Sequence, residues 1–359
     1  MIKTYQSYII KSFSKIFLYV FFIFLFLTII LNIFEEISFF KNTNVSLLFP
    51  LYMTFLNTPS VIYETFPFIF FIATQFFFIR LLDREELDIF KKISLSNTKL
   101  ILILSTFSLI ISGLIIIIFY NLSSNLKFLY LDIKNKYSKD NKYLAVVTEN
   151  GLWIRDEIDD KINIINAEAL DNQTLKNVSI NQFSKNYDII LNIVATEVNI
   201  ENNNWVIKKG KFSENNSSLK IKENYLFKTN FNALRINQLF SDLSSLNFIE
   251  LNNIRKNYEK VGYTINSINV HIHKLISYPF YLTIMTILGS IVMLNIKRNK
   301  SKIFHIILGT LFSVLIYYIS YFSGLLGQNE RLPLIFSIWL PLIVIALFCL
   351  IGLVRINEK

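Results

Sequence analysis

Only one cysteine, Cys349, occurs in these 359 residues, so no intrachain disulfide can brace any part of the fold. Glycine (9) and proline (6) are scarce, which leaves few breaks for long helices. Histidine is rarer still, limited to His271, His273 and His305. Two steps along a helix turn a side chain by about 200°, so His271 and His273 are badly placed to share one metal. They are expected at the wet end of a span, and His305 at another interface. The only Gly-Lys pair, Gly210-Lys211, has no glycine five residues before it, so there is no G-x-x-x-x-G-K-[ST] phosphate loop. ATP hydrolysis by that route is not expected, nor is any cofactor or metal.

Long apolar runs are what the chain has in abundance. Ile16 to Phe34, Leu100 to Asn125, Leu275 to Ile296, Ile303 to Asn329 and Leu332 to Val354 carry no charge. Each is long enough for a bilayer core of about 30 Å, which takes roughly 20 residues of helix. A sixth, Thr65 to Ile79, is short but extends back past Glu64 through Val61 and Ile62. The uncharged stretch 42–63, with Pro50 and Pro59, is expected as an interfacial approach to that span. The first run is too long for a signal-peptide core and no small-residue cleavage site follows it, so it is expected to remain as a span.

Charge supports six spans with both termini cytoplasmic. Lys and Arg favour the cytoplasmic ends of spans. The N-terminus, the loops near 80–99 and 297–302 and the C-terminus hold 14 basic residues against five acids, Asp83, Glu85, Glu86, Asp88 and Glu358. That is nine of the ten net positive charges of the chain. The basic surplus is therefore topological, and a nucleic-acid partner, which needs a basic face on a folded domain, is not expected.

Between the third and fourth spans lies a polar stretch of 154 residues, Asn121 to Lys274. Ile189, Leu191, Ile193 and Ala195 alternate with period two, as in a strand. Further short strands are expected at Tyr143–Val147, Leu152–Arg155, Ile162–Ile165, Val178–Phe183, Trp205–Lys208 and Leu219–Phe227. Turn-like clusters separate them at 149–151, 159–160, 201–204 and 209–210. Many short strands predict a β-sandwich or jelly roll. Leu251, Ile254 and Tyr258 then follow helical spacing. With even span parity this domain faces outward, the periplasm of a Gram-negative cell.

The loop between the second and third spans is dense in charge, from Asp83 to Ser96. It predicts a helix of about three turns, with Ile89/Ile93 and Leu87/Phe90 as apolar pairs. Acids precede bases along it, which suits the helix dipole; Asp88 can pair with Lys91 or Lys92, and Ser96 or Asn97 caps the next helix. Two roles are open to it from its chemistry: a solvated helix on the headgroups, or a docking helix for a cytoplasmic partner with Glu86 as a buried polar contact.

This loop resembles the lipopolysaccharide export permeases of the LptF/LptG (YjgP/YjgQ) family. The family pattern S-E-L-x-x-x-R-A-x-G-x-S overlays Glu85 to Ser96 without gaps. Glu86 and Leu87 match its Glu-Leu pair, Lys91 stands for its arginine and Ser96 matches its last serine. Glu85, Lys92 and Ser94 replace its first serine, alanine and glycine. Tyr8-Ile9-x-Lys11, Pro59, Pro67, Trp205, Leu246 to Tyr258, Pro279 and 332–341 agree in order along the chain. Gly151-Leu152-Trp153-Ile154-Arg155-Asp156 is similar to the G-L-W segment of LptG, and places the chain nearer LptG than its paralogue LptF.

The resemblance implies a six-span helical membrane protein with an inserted jelly-roll-like periplasmic domain, in the inner membrane. Its domains are 1–126 with a coupling helix at about 82–95, then 127–260, then 261–359. It implies a permease subunit of an ABC transporter that extracts lipopolysaccharide, paired with LptF, driven by an LptB ATPase dimer and delivering to LptC. Glu86, Leu87, Phe90, Lys91 and Ser96 become the ATPase-coupling residues, and Lys41, Phe22 and Phe26 a substrate path. LptG commonly has several basic residues at the outer end of the first span; here only Lys41 is basic, beside Glu35 and Glu36. The alternatives are LptF itself, a sensor with a ligand-binding outer domain, and a lipid-modifying enzyme. The cytoplasmic parts are too small to signal alone, and the spans lack the clustered His, Asp and Glu that lipid-modifying chemistry needs.

Overall fold

The computed structural model describes residues 4–357 except 42, 44, 47, 138–151, 159–160, 172, 185–187, 215–219, 234–235, 237–241, 262–264 and 296–300. Its contacts divide into two compact units, Met1–Lys127 with Asn266–Lys359, and Phe128–Ile265.

Among the described residues six helices are long and apolar enough to cross a membrane, the number the apolar runs predict. They are built on α1 (Thr4–Phe40), α2 (Phe49–Asp83), α4 (Asn97–Leu114), α7 (Asn266–Leu294), α8 (Lys302–Gln328) and α9 (Leu334–Asn357). Between α2 and α4 sits the short α3 (Glu86–Lys92). The stretch expected as an approach to the second span is the start of α2 itself. Pro50 enters at its first turn, where a missing N–H costs nothing, and Thr54 and Thr58 donate to the carbonyls of Pro50 and Thr54 at 2.8 and 2.7 Å. Next, α4 runs on through a π-helical turn (Ile115–Tyr120) into α5 (Asn121–Tyr137), well beyond the apolar run. No Gly or Pro lies between Gly113 and Gly151 to stop it.

The bundle packs around α2, which contacts α1, α3, α7 and α8. Its core is largely aromatic: Phe13 and Phe17 of α1 meet Phe77 and Phe70 of α2 edge-on, at ring separations of 5.7 and 4.8 Å. Glycines on the later helices admit α2 closely. A Cβ on Gly289 would lie 3.1 Å from the Phe71 carbonyl, and one on Gly309 2.4 Å from Gln75 Nε2. At one end of the bundle Tyr8, the 83–96 loop and Lys302 come together; Asn266 and Glu330 join by a 2.7 Å hydrogen bond where α7 begins and α8 ends.

Among its described residues the second unit carries six strands: β1 (Leu152–Ile158), β2 (Lys161–Asp171), β3 (Thr174–Phe183), β4 (Ile189–Asn199), β5 (Asn204–Glu214) and β6 (Lys220–Lys228). They form one sheet in chain order, every neighbour antiparallel. Six of the seven expected strand positions fall on them; Tyr143–Val147 lies outside the described residues, as do the turns at 149–151 and 159–160. The turn expected at Lys209-Gly210 does not occur, because both residues lie inside β5. There the buried residues change phase, from Trp205 and Ile207 to Gly210 and Phe212. The same change separates Ala195 from Val198 in β4 and Leu175 from Val178 in β3, and these positions pair across the sheet. Asn177, at φ 49°, supplies the left-handed residue in β3. The result is a crease along which the sheet bends while keeping its apolar side inward. Glycine suits the crease because a Cβ there would lie 3.0 Å from both Ile207 and Phe212.

Curvature brings the two ends of the strand order together. Asp156 of β1 accepts from Thr229 Oγ1 and Asn230 N, just after β6, at 2.7 and 3.0 Å, and from Asn230 Nδ2 at 2.9 Å. Fully buried Trp205 donates to the Phe231 carbonyl at 2.7 Å. A helix, α6 (Phe248–Val261), closes the unit. Asn247 caps it, accepting from Ile249 N and Glu250 N, while Glu250 accepts from Asn247 N, a reciprocal capping box.

Candidate functional site: the charged loop of the span bundle

The charged loop folds into two helical turns, not three, because its ends are fixed by left-handed residues. Glu85 precedes α3 at φ 55° and Ser94 follows it at φ 59°. After α3, Ser94 N donates to Lys91 O at 3.0 Å and Leu95 N to Phe90 O at 2.9 Å. This is a Schellman closure, a position that favours glycine. Ser94 stands where the resembled pattern has its glycine, so that glycine has a conformational reason.

Leu87 and Phe90 are buried, packed with Leu81, Leu95 and Ile101 in the bundle core. Ile89 and Ile93 instead face outward, 54% and 58% exposed, beside exposed Asp88, Lys91 and Lys92. Among the described residues none of these three charges forms an ion pair. Ser96 caps α4, its Oγ accepting from Lys99 N at 3.3 Å. Two of the loop's apolar residues thus anchor it, and two are left on a charged outer face.

Glu86 is turned inward, its side chain 13% exposed. Tyr8 Oη of α1 donates to its Oε1 at 2.8 Å, and Arg84 Nη1 lies 3.9 Å from the same oxygen. Its Oε2 is buried with no hydrogen-bond partner, as is Arg80 Nε. In the sequence Tyr8 is only part of the Tyr8-Ile9-x-Lys11 segment that agrees with the family; its bond to a residue 78 positions away carries no local signal. The loop is also tied to α8 by the ion pair of Lys302 with Asp83.

The residues expected along a substrate path lie elsewhere. Phe22 and Phe26 are 49% and 61% exposed on one face of α1. Lys41 is exposed just past the end of α1, about 50 Å from Tyr8 at 1.5 Å per residue. The two acids before it differ: Glu35 is exposed, while Glu36 is fully buried on one stripe of α1 with Thr28 and Asn32. The i, i+4, i+8 spacing of Thr28, Asn32 and Glu36 was the available signal for that polar stripe. His271 and His273 point to different helices, His271 Nε2 lying 3.1 Å from Tyr120 Oη and His273 Nδ1 accepting from Trp339 Nε1 at 3.3 Å. The π-helical turn ends at Tyr120, whose ring also lies 5.1 Å from that of Tyr63.

Comparison with known proteins agrees with this arrangement. The model of the family described as lipopolysaccharide export system permease LptF/LptG matches residues 7–355. A search of curated proteins returned no match. With six spans, an inserted antiparallel sheet and a family match over nearly its whole length, the chain belongs to the LptF/LptG family of lipopolysaccharide export permeases, as a multi-pass inner-membrane protein.

Proposed function

We propose that this chain is the LptG permease of a lipopolysaccharide exporter, paired with LptF and driven by a separate LptB ATPase. In this reading the α3 loop and both termini are cytoplasmic. The sheet unit belongs to a jelly-roll-like periplasmic domain that hands lipid to LptC. The outer face of α3 carries this reading: Ile89 and Ile93 are exposed beside the exposed charges of Asp88, Lys91 and Lys92, while Leu87 and Phe90 hold the helix to the core. Such a short, anchored, amphipathic helix fits a groove on a partner. The sequence has no phosphate loop, which supports a reading in which the ATPase is a separate polypeptide. The choice of LptG over LptF rests on Gly151-Leu152-Trp153, where Leu152 is buried and Trp153 is 53% exposed in β1.

Purification in mild detergent from the native host is expected to bring down an ATPase and a second permease. Glu86→Ala is expected to weaken ATPase recovery or to separate hydrolysis from lipid transport. Full recovery and full transport in that variant would remove Glu86 from the coupling residues. Cross-linking of the sheet unit to LptC, in the presence of a neighbouring LptF, separates LptG from its paralogue.

A further inference from the structure

The charged loop hangs from α2, yet two of its acids reach other helices. Tyr8 of α1 donates to Glu86, and Lys302, the first residue of α8, pairs with Asp83. These same two helices are the least buried of the six spans. Only 22% of the most apolar stretch of α1 and 17% of that of α8 is buried, against 61% for α2. The loop's polar contacts within this chain therefore fall on the two spans that bury the smallest share of their apolar stretch.

The contact at Glu86 also has a place to go. Its Oε2 and Arg80 Nε are both buried and unpartnered, and Arg84 is within 3.9 Å of Oε1. Exchange of the Tyr8 hydroxyl for the Arg84 guanidinium, 3.9 Å away, would keep the carboxylate paired, and would make Glu86 a two-position element of the kind that converts a local push into a discrete shift.

We propose that Tyr8 and Lys302 are positioning residues that pass a displacement of the charged loop to α1 and α8. The proposal rests on the permease reading, since it needs a motor pressing on the loop. The two ties are unequal. Asp83 and Lys302 side chains are 52% and 46% exposed, so solvent weakens their pairing; Tyr8 is 42% exposed, but the Glu86 carboxylate it meets is only 13% exposed. Tyr8→Phe, which removes only a hydroxyl, is expected to have the larger effect.

The test uses the whole complex with its ATPase in proteoliposomes containing lipopolysaccharide, reading lipid moved per ATP hydrolysed. Tyr8→Phe is expected to lower that ratio about fivefold, the low end of typical coupling between sites, with ATPase recovery and thermal stability unchanged. Lys302→Asp is expected to lower it about twofold, as for an exposed pair, and the double variant Asp83→Lys with Lys302→Asp to restore it. A purely structural role would change stability or assembly and leave the ratio alone. An unchanged ratio in Tyr8→Phe overturns the α1 link, and failure of the charge swap to restore overturns the α8 link. Should the wild-type protein bring down no ATPase at all, the permease reading itself falls, a result distinct from either.

Discussion

Asp156 in the sheet unit and Glu86 in the span bundle are both acids held by hydroxyl groups, but they are held differently. Asp156 is 1% exposed and accepts three hydrogen bonds on its two oxygens. Glu86 has one oxygen bound by Tyr8 and the other buried without a partner. The contrast extends beyond the pair. In the bundle, Ser12 Oγ, Asn32 Nδ2, Tyr63 Oη, Gln75 Oε1 and Arg80 Nε are also buried and unmet, while in the sheet unit only Arg255 Nε is so left among the described residues. Buried polar groups without partners are costly. Such groups call for a bound water, a partner or a rearrangement, whereas a satisfied network fixes one structure.

The sheet unit should therefore break sharply when its closing contacts are removed. Trp205 is fully buried and donates to Phe231, so Trp205→Ala is expected to cost about 3–5 kcal/mol. Asp156→Ala leaves Thr229 and Asn230 donors without an acceptor and is expected to cost about 3 kcal/mol. Both should appear as early protease cleavage within 152–261 of the full-length protein, with the helical signal of the spans retained. Equal loss of helix would show that the two units do not unfold separately.

Much of this comparison was legible in the sequence, and the failures have identifiable causes. Six apolar runs became six spans because length and hydropathy act locally. Strands showed through alternation, as at Ile189 to Ala195. The Lys209-Gly210 turn was misplaced because glycine serves a crease in a continuous strand as readily as a turn. The third helix continues to Tyr137 because polar residues are compatible with helix and no Gly or Pro interrupts them, so the change in hydropathy at Asn121 marks the edge of the apolar run and not the end of the helix. The amphipathic α3 was visible in the order of its charges. What holds Glu86 was not, because Tyr8 lies 78 residues away and side-chain contacts of that range leave no periodic trace.

Within the bundle, a smaller effect is expected where α8 meets α2. A Cβ on Gly309 would fall 2.4 Å from Gln75 Nε2 and 3.0 Å from Phe71 Cζ, and that amide already donates to the His305 carbonyl at 3.3 Å. Gly309→Val is expected to cost about 1–3 kcal/mol through overpacking. It would show as a lower unfolding temperature in detergent, with the sheet unit's protease resistance unchanged. Smaller again, and of opposite sign, is Ser94→Gly. Relieving φ 59° is expected to gain about 1 kcal/mol at most, since glycine's own unfolded-state freedom offsets part of the relief. A loss of stability there would mean that the Ser94 side chain contributes something its backbone does not.

The smallest stability effect, with the largest expected gap between stability and function, belongs to the outer face of α1. Phe22 and Phe26 are exposed, so replacing both by Ala removes little buried surface, and a change within about 0.5 kcal/mol is expected. Their neighbour Phe21 stacks on Phe66 at 6.0 Å and meets Phe22 edge-on at 5.6 Å, and anchors the inner side of the helix. If the pair lines a path for acyl chains, the double variant should leave the unfolding temperature in place while lowering the rate at which lipopolysaccharide reaches the cell surface. If the pair only faces membrane lipid, export should match wild type. Phe21→Ala is the control that reverses the pattern, because it opens space in the core and should lower stability first, with any loss of export following from that.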